Sequence, residues 1–245
     1  MDKMIYVAMT GAKQTLNQQA TVANNLANAN TPGFRAELAT FRAVPVVGPA
    51  QGTRAFVTDS TPGANFAPGV IQQTGRPLDL AVQGSGWIAV RGTDGKEGYT
   101  RDGDLQVDKE GALLTRHGNA VLSINGPITV PPGSEVTVAA DGTVSATQPG
   151  TPPTVTAVGQ IKLVDPTARS LQRGDDGLFR TSDGKPAPVD PKVTLAPGSL
   201  EGSNVNLTEQ MVSMISLARQ YDLNTKMIST VNDNDKAASS LLTVN

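Results

Sequence analysis

"NQQATVANNLANANTPGF", residues Asn17 to Phe34, holds five asparagines and two glutamines but no ionisable side chain, and the uncharged run begins at Gln14. Residues 3–30 contain no proline and no glycine other than Gly11. Apolar or small residues recur at Ile5, Met9, Ala12, Leu16, Ala23 and Leu26, the three-and-four spacing of a helix face, interrupted only by Gln19. The spacing predicts a helix of about 28 residues, ~42 Å long. Thr31–Gly33 ends it: Pro32 cannot continue a helix, and Pro-Gly suits the two central positions of a type II turn. A helix facing water carries charges for solubility, and one lying on a membrane carries Lys or Arg beside the headgroups. Amides in place of charges suit a helix whose faces meet other protein, where they hydrogen-bond at a lower desolvation cost than a charge. The stretch is therefore expected to be buried in an assembly.

The other end of the chain has the same style. Asn206 is placed to cap a helix and Glu209 to complete a capping box. Leu207, Met211, Met214, Ala218, Tyr221, Thr225 and Ile228 follow at alternating four- and three-residue steps. The predicted helix runs to about Leu242, ~54 Å, although "NDND" at Asn232–Asp235 favours a frayed or kinked end or a partner-binding segment. Between the helices, residues 76–200 read as all-β. Asp-Gly pairs at 94–95, 102–103, 141–142, 176–177 and 183–184 mark turns, and the short runs "WIAVR", "DLQVD", "ALLT" and "AVLSI" read as strands. Residues 34–75, punctuated by proline and glycine, read as an extended linker with room for isolated strands. The expected class is α+β: long N- and C-terminal helices (1–33 with 201–245) pairing as a coiled coil around a central all-β domain.

Composition narrows function. Of 245 residues 17% are charged and the formal net charge is -2, so no basic footprint for nucleic acid exists. Without cysteine there is neither a disulfide framework nor a thiolate metal site. No apolar run approaches the roughly 20 residues of a membrane span. The N-terminus lacks the basic and apolar regions of a cleaved secretory signal, which implies a cytosolic protein or export by another route.

Catalytic chemistry has little to stand on. His117, the only histidine, sits in "TRHGNA" and reads as a turn residue. "DGDLQVDKEG" resembles a calcium loop, but Gln106 and Val107 occupy its third ligand and glycine positions. "RGDDG" at Arg173–Gly177 reads as a polar turn, with Asp175 and Asp176 diverging rather than paired, and Trp87 in "QGSGW" reads as core. No catalytic residue, cofactor site or metal site is expected. A wall hydrolase would have to use Asp102, Asp104 and Asp108. A carbohydrate-binding β module would have to use Trp87, Tyr99 and Phe179, a thin aromatic supply.

Four blocks carry a resemblance. "ANNLANANTPGF" (Ala23–Phe34) resembles the N-terminal signature of bacterial flagellar rod and hook proteins. "RPLDLAVQGSGWIAV" (Arg76–Val90) and "YTRDGDLQVDKEGALLTRHGNAVL" (Tyr99–Leu122) are similar to the opening of that family's β domain, and "LEGSNVNLTEQMVSMISLARQYDLNTKMIS" (Leu200–Ser229) to its C-terminal helix. "STPGA", "RPLD" and "QRGDDGLFR" incline it toward the proximal-rod members rather than distal-rod or hook relatives. The resemblance implies a structural axial subunit of the basal body in the periplasm, exported by the flagellum's own route without a cleaved signal. It would assemble with itself and other rod proteins and meet the export apparatus, with no nucleic acid and no membrane insertion. In such a subunit Leu16, Leu26, Met211, Met214, Tyr221 and Ile228 are expected to pack the helices, and Ile5, Met9 and Leu207 to lie with them at the subunit interface. Asn24, Asn25, Asn28 and Asn30 would bond across subunits, and Pro32, Gly33 and Phe34 would turn the chain out of the inner layer. The helical ends are expected to order only on assembly.

Overall fold

The computed structural model describes residues 2–45, 55–124, 126–150 and 154–242. The chain divides into two compact units: Met1–Ala29, Ala36–Asn65 and Val205–Asn245 form the first, Asn30–Arg35 with Phe66–Asn204 the second. The architecture is α+β, two helices and a mostly β central region.

In the first unit, helix α1 (Asp2–Ala27) and helix α2 (Leu207–Leu242) take the places that their proline-free sequences predict. Asn206 caps α2, its Oδ1 accepting from the Glu209 backbone N–H at 3.3 Å. The "NDND" segment does not break the helix. The two helices lie antiparallel, because Asn224 Nδ2 reaches Thr15 Oγ1 at 3.4 Å while Asn25 Nδ2 reaches Gln210 Oε1 at 3.5 Å. Their contact uses small side chains: Ala8, Ala12 and Thr15 are buried, and Gly11 faces the Asn224 amide.

The region 34–75, read from sequence as a linker, carries paired strands. Glu37–Pro45 runs antiparallel to Ala55–Ala64 as a two-stranded ribbon, with an irregularity between Leu38 and Thr40. Residues 46–54 of that region lie outside the described residues. Ile71–Gln73 pairs with Ser199–Glu201 in the second unit.

The second unit is built from short strands. Among the described residues, a nine-stranded sheet includes Trp87–Arg91, Leu105–Val107, Leu113–Thr115 and Ala120–Ser123, the runs expected as strands. A three-stranded sheet joins Glu135–Val138, Thr143–Gln148 and Thr154–Gln160. Leu80, Val82, Ile88, Val90, Leu105, Leu113, Val121, Val144 and Ile161 form one core from residues of both sheets and the strand Leu80–Gln83.

Four of the five Asp-Gly pairs put glycine at positive φ, as turns require. Asp102-Gly103 does not, and the expectation of a turn there fails. A Cβ on Gly103 would lie 1.7 Å from the Leu80 carbonyl oxygen, so glycine serves backbone approach instead. Gly103 O accepts from Leu80 N–H at 3.0 Å across that approach.

Candidate functional site

The helix pair carries two apolar faces. Along α2 the partly covered positions include Gln210, Met214, Leu217, Tyr221, Asn224 and Ile228, ending at buried Val231, with Ser213 and Ala218 beside them. The first set follows a four-three repeat, and Gln210 and Asn224 in it reach side chains of α1. A second set is exposed away from that repeat: Met211, Val212, Ile215, Leu223 and Met227, Leu223 by 66%, while Leu207 continues the repeat at its N-terminal end and is itself 46% exposed. On α1, Met9 and Leu16 are likewise exposed, and Ile5 and Leu26 are half-buried. Of the residues expected to pack the helices, Met214, Tyr221 and Ile228 thus face the seam. Met9, Leu16, Leu207 and Met211 are each about half-exposed within this chain.

The asparagines divide in the same way. Asn25 is buried, and both ends of its amide are used within the chain: Nδ2 donates to Glu37 O at 3.0 Å and Oδ1 accepts from Glu37 N–H at 2.8 Å. It imitates a strand partner for the first residue of the ribbon. Asn28 donates to Asn24 O at 3.0 Å one helical turn back. Asn24 and Asn30 are exposed.

"TPGFR" belongs to the second unit and seats inside it. Gly33 has φ +67°, as a type II turn needs after Pro32, and Phe34 N–H closes the turn on Thr31 O at 3.3 Å. Gly33 N–H donates to Glu201 O at 2.7 Å, and a Cβ there would lie 2.2 Å from the Arg101 carbonyl carbon. Phe34 is buried beneath the Arg173 guanidinium, 4.5 Å from ring centroid to Cζ. Pro32 is half-buried.

Arg35, next in sequence, opens a charged cluster that sequence reading missed. Its Nη1 lies 2.7 Å from Glu201 Oε1, and Arg101 Nη1 lies 2.9 Å from Glu201 Oε2; Arg35 and Glu201 are each 1% exposed. Glu201 Oε1 also accepts from Gly69 N–H at 2.8 Å, and Arg101 Nη2 donates to Gly84 O at 2.8 Å. Both guanidiniums stand near Trp87, at 5.4 Å for Arg101 and 5.9 Å for Arg35. The Arg35–Glu201 contact is close but poorly aligned for a hydrogen bond, and Arg35 Nε and Nη2 have no acceptor among the described residues. Burial holds the Arg101 guanidinium below its ordinary pKa, against the raising effect of Glu201. The cluster joins the residue that leaves the N-terminal signature, a loop of the β body, and the last strand before α2. No local pattern marks residues so distant in sequence.

The acidic candidates have structural partners. Asp102 is buried, its Oδ2 3.0 Å from His117 Nδ1, and burial raises its pKa against the lowering hydrogen bonds from Asp104 N–H and His117. His117 sits in the turn closed by Gly118 N–H on Thr115 O. Asp104 takes Arg76 at 2.7 Å and Arg116 at 3.2 Å, and Asp108 Oδ1 accepts from Glu110 and Ala112 N–H. Asp176 is held below the usual carboxylate range by its hydrogen bond from Arg180. Trp87 meets Phe179 at 4.8 Å with the rings tilted by 50° and Phe66 edge-on at 6.0 Å, and Phe66 and Trp87 line one groove with Arg101, Asp165 and Glu201. No helix among the described residues is long and apolar enough to cross a membrane.

Comparison with known proteins agrees with this division. Residues 5–35 match the family described as flagella basal body rod protein, 81–146 the flagellar hook protein FlgE/F/G D1 domain, and 196–241 the flagellar basal body rod FlgEFG protein C-terminal. The chain is 52% identical over 251 residues to the flagellar basal-body rod protein FlgF of Escherichia coli (strain K12), covering 100% of both. The chain belongs to the flagellar basal-body rod protein family. Its likeness extends to FlgF of Salmonella typhimurium (strain LT2) at 51% and of Buchnera aphidicola subsp. Schizaphis graminum at 32%, each over 100% of both chains. As a member of that family it is a structural rod subunit of the flagellar basal body, and the family is not one of enzymes. The three matched segments include α1 with its "TPGF" anchor, much of the β body, and Glu201 with most of α2.

Proposed function

We propose that this rod protein occupies the proximal rod and polymerises there head-to-tail into a helical shaft that carries torque through the periplasm. The supporting observation is the outward apolar face of the helix pair. Met211, Val212, Ile215, Leu223 and Met227 on α2, with Met9 and Leu16 on α1, are each about half-exposed or more within this chain. Covering such a side chain stabilises by on the order of 1 kcal/mol each when it starts half-exposed. The intrachain seam and the outward face together let one helix pair serve as a coiled-coil layer with neighbours on its far side. Heterologous contacts that do not close then extend the array. The exposed Asn24 and Asn30 supply amide bonds between copies, whereas Asn25, Asn28, Gly33 and Phe34 fix the subunit's own geometry.

The route out of the cell follows the same reading. A cysteine-free chain has no cross-link to hinder unfolded passage through the flagellar export apparatus. Neighbouring rod proteins are its partners at both ends of its layer.

The test is a pair of charges on the outward face, Ile215→Asp with Leu223→Asp, in the full chain. The variant protein is exported but absent from purified basal bodies, and the cells do not swim. Incorporation at the wild-type level would refute the helix-face assembly. Truncation is a poorer experiment beyond residue 29, because residues 31–35 are seated in the β body.

A further inference from the structure

The chain passes between its two units at four places, 29/30, 35/36, 65/66 and 204/205. On the side of the β body, the segments beside these passages are bonded to one another. Gly33 N–H donates to Glu201 O at 2.7 Å, and Asn204 N–H to Phe34 O at 3.3 Å. Asn204 Nδ2 donates to Ala67 O at 2.8 Å, and Gly69 N–H to Glu201 Oε1 at 2.8 Å. Gly202 N–H donates to Val70 O at 2.8 Å, prolonging the pairing of Ser199–Glu201 with Ile71–Gln73. Two glycines permit this closeness: a Cβ on Gly69 would lie 2.0 Å from Gly202 O, as one on Gly33 would meet the Arg101 backbone. Phe34, Arg35 and Glu201 are buried, so the tie belongs to the core of the β body and is no surface turn.

The helix pair is lightly held by comparison. Among the described residues of α1 and α2 the buried apolar side chains are Ala8, Ala12 and Val231, and alanines remove little apolar area from water. The polar contacts across the pair, Asn224 to Thr15 at 3.4 Å and Asn25 to Gln210 at 3.5 Å, are long for hydrogen bonds. The second of them joins residues 185 apart in sequence. With the tie closed, the path from Asn25 to Gln210 runs through Phe34 and Asn204, a loop of about 15 residues. With it open, the next link between the two arms is the strand pair at Ile71 and Glu201, and the loop is about 55 residues. Closure probability falls as about the 3/2 power of loop length, so the tie favours helix pairing roughly sevenfold.

We infer that segments 30–35, 66–69 and 201–204 form a clasp that holds the roots of the two helices together in the free subunit. The clasp raises the effective concentration of α1 for α2 and so prepares the helix pair before any neighbour covers it. The inference concerns the isolated chain and stands or falls apart from the assembly reading.

Because the chain has no cysteine, Gly11→Cys with Asn224→Cys gives one thiol pair, at positions that face each other at 3.5 Å. The effective molarity of that pair is measured in the purified full-length monomer by exchange with glutathione. Adding Gly33→Ala, which opens the clasp, lowers it about sevenfold. Val144→Ala, a cavity in the β core away from the clasp, lowers Tm but leaves the effective molarity within about twofold. Trp87 emission confirms that the β body is folded in each variant at the assay temperature. Should Gly33→Ala prove unfolded, Asn204→Ala takes its place, with a fall of at least about twofold expected from loss of the bond to Ala67. No fall in the folded clasp variant, or an equal fall in Val144→Ala, overturns the inference. Hydrogen exchange gives a second readout in the unmodified chain. The Gly33 and Asn204 amides exchange at least about tenfold more slowly than those of Ala12 and Thr15, and equal rates would show that the clasp opens with the helices and overturn it too.

Discussion

Glu201→Ala should be among the most damaging single substitutions in the β body. Glu201 faces Arg35 at 2.7 Å and Arg101 at 2.9 Å, and its Oε1 also accepts from Gly69 N–H. Alanine would remove the carboxylate that both buried guanidiniums face, leaving only the more distant Asp165 acting on Arg101. Removing one partner of a buried ion pair costs about 3–5 kcal/mol, and for a domain of this size each kcal/mol lowers Tm by roughly 2–4 °C. The expected fall in Tm is therefore roughly 6–20 °C. Trp87, the only tryptophan, lies within 6 Å of both guanidinium carbons and reports the transition by its fluorescence. The unpartnered Arg35 Nε and Nη2 show that the cluster is imperfectly satisfied. Replacing it with apolar side chains of similar bulk (Arg35→Met, Arg101→Met, Glu201→Leu) should recover at least half of the loss, because desolvation offsets much of the Coulomb gain. A fall below 3 °C for Glu201→Ala would refute the reasoning, since it would mean that the charges find water or other partners when the carboxylate goes.

The two glycines of the N-terminal segment should respond in opposite directions. Gly33→Ala, at φ +67° and 2.2 Å from the Arg101 backbone, should lower Tm by several degrees and abolish swimming, whereas Gly11→Ala, with 3.5 Å to Asn224, should stabilise α1 by up to about 1 kcal/mol in helix melts. Asn25→Ala leaves the Glu37 N–H and C=O without their side-chain partners at a cost of about 1–3 kcal/mol, seen as faster hydrogen exchange at Glu37 with the β body unaffected. For Asp102 the folded carboxyl is raised above its ordinary 3.8, so the folded state binds the proton more tightly than the unfolded chain. Its favourable contribution is present in acid and declines as pH rises from 3.8 through the folded value. The stability of wild type relative to Asp102→Asn should fall across that interval, measured by denaturant melts at stepped pH; a rise would contradict the burial-driven shift. His117 and Asp104, which face Asp102, stay unchanged in the comparison.

The existence of both helices was legible because the absence of proline and glycine is a local property. Which way they face was not. Periodicity selects apolar positions without saying whether the same chain or a neighbour covers them, and Met9, Leu16, Leu207 and Met211 remain about half-exposed in this chain. Within the chain the contact uses Ala8, Ala12, Thr15 and Gly11 on α1, small residues that let the α2 side chains, Asn224 among them, approach. A subunit of an assembly has two apolar surfaces, one for its own chain and one for its neighbours, and bulk is the poorer guide to the first. The strands of the β body could be read because each is local and bounded by turn residues. Asp102-Gly103 misled for the opposite reason: the glycine answers to Leu80, more than 20 residues earlier. Arg35, Arg101 and Glu201 carry no signal at all until the fold brings them together, although Arg35 neighbours Phe34 and Arg101 neighbours Asp102, both singled out from the sequence. The amides that first suggested assembly illustrate the same limit. Asn25 uses its amide inside the chain, so an uncharged segment can reflect intrachain pairing as well as partners. Its exposed neighbours Asn24 and Asn30 are where the argument from missing charge applies with most force.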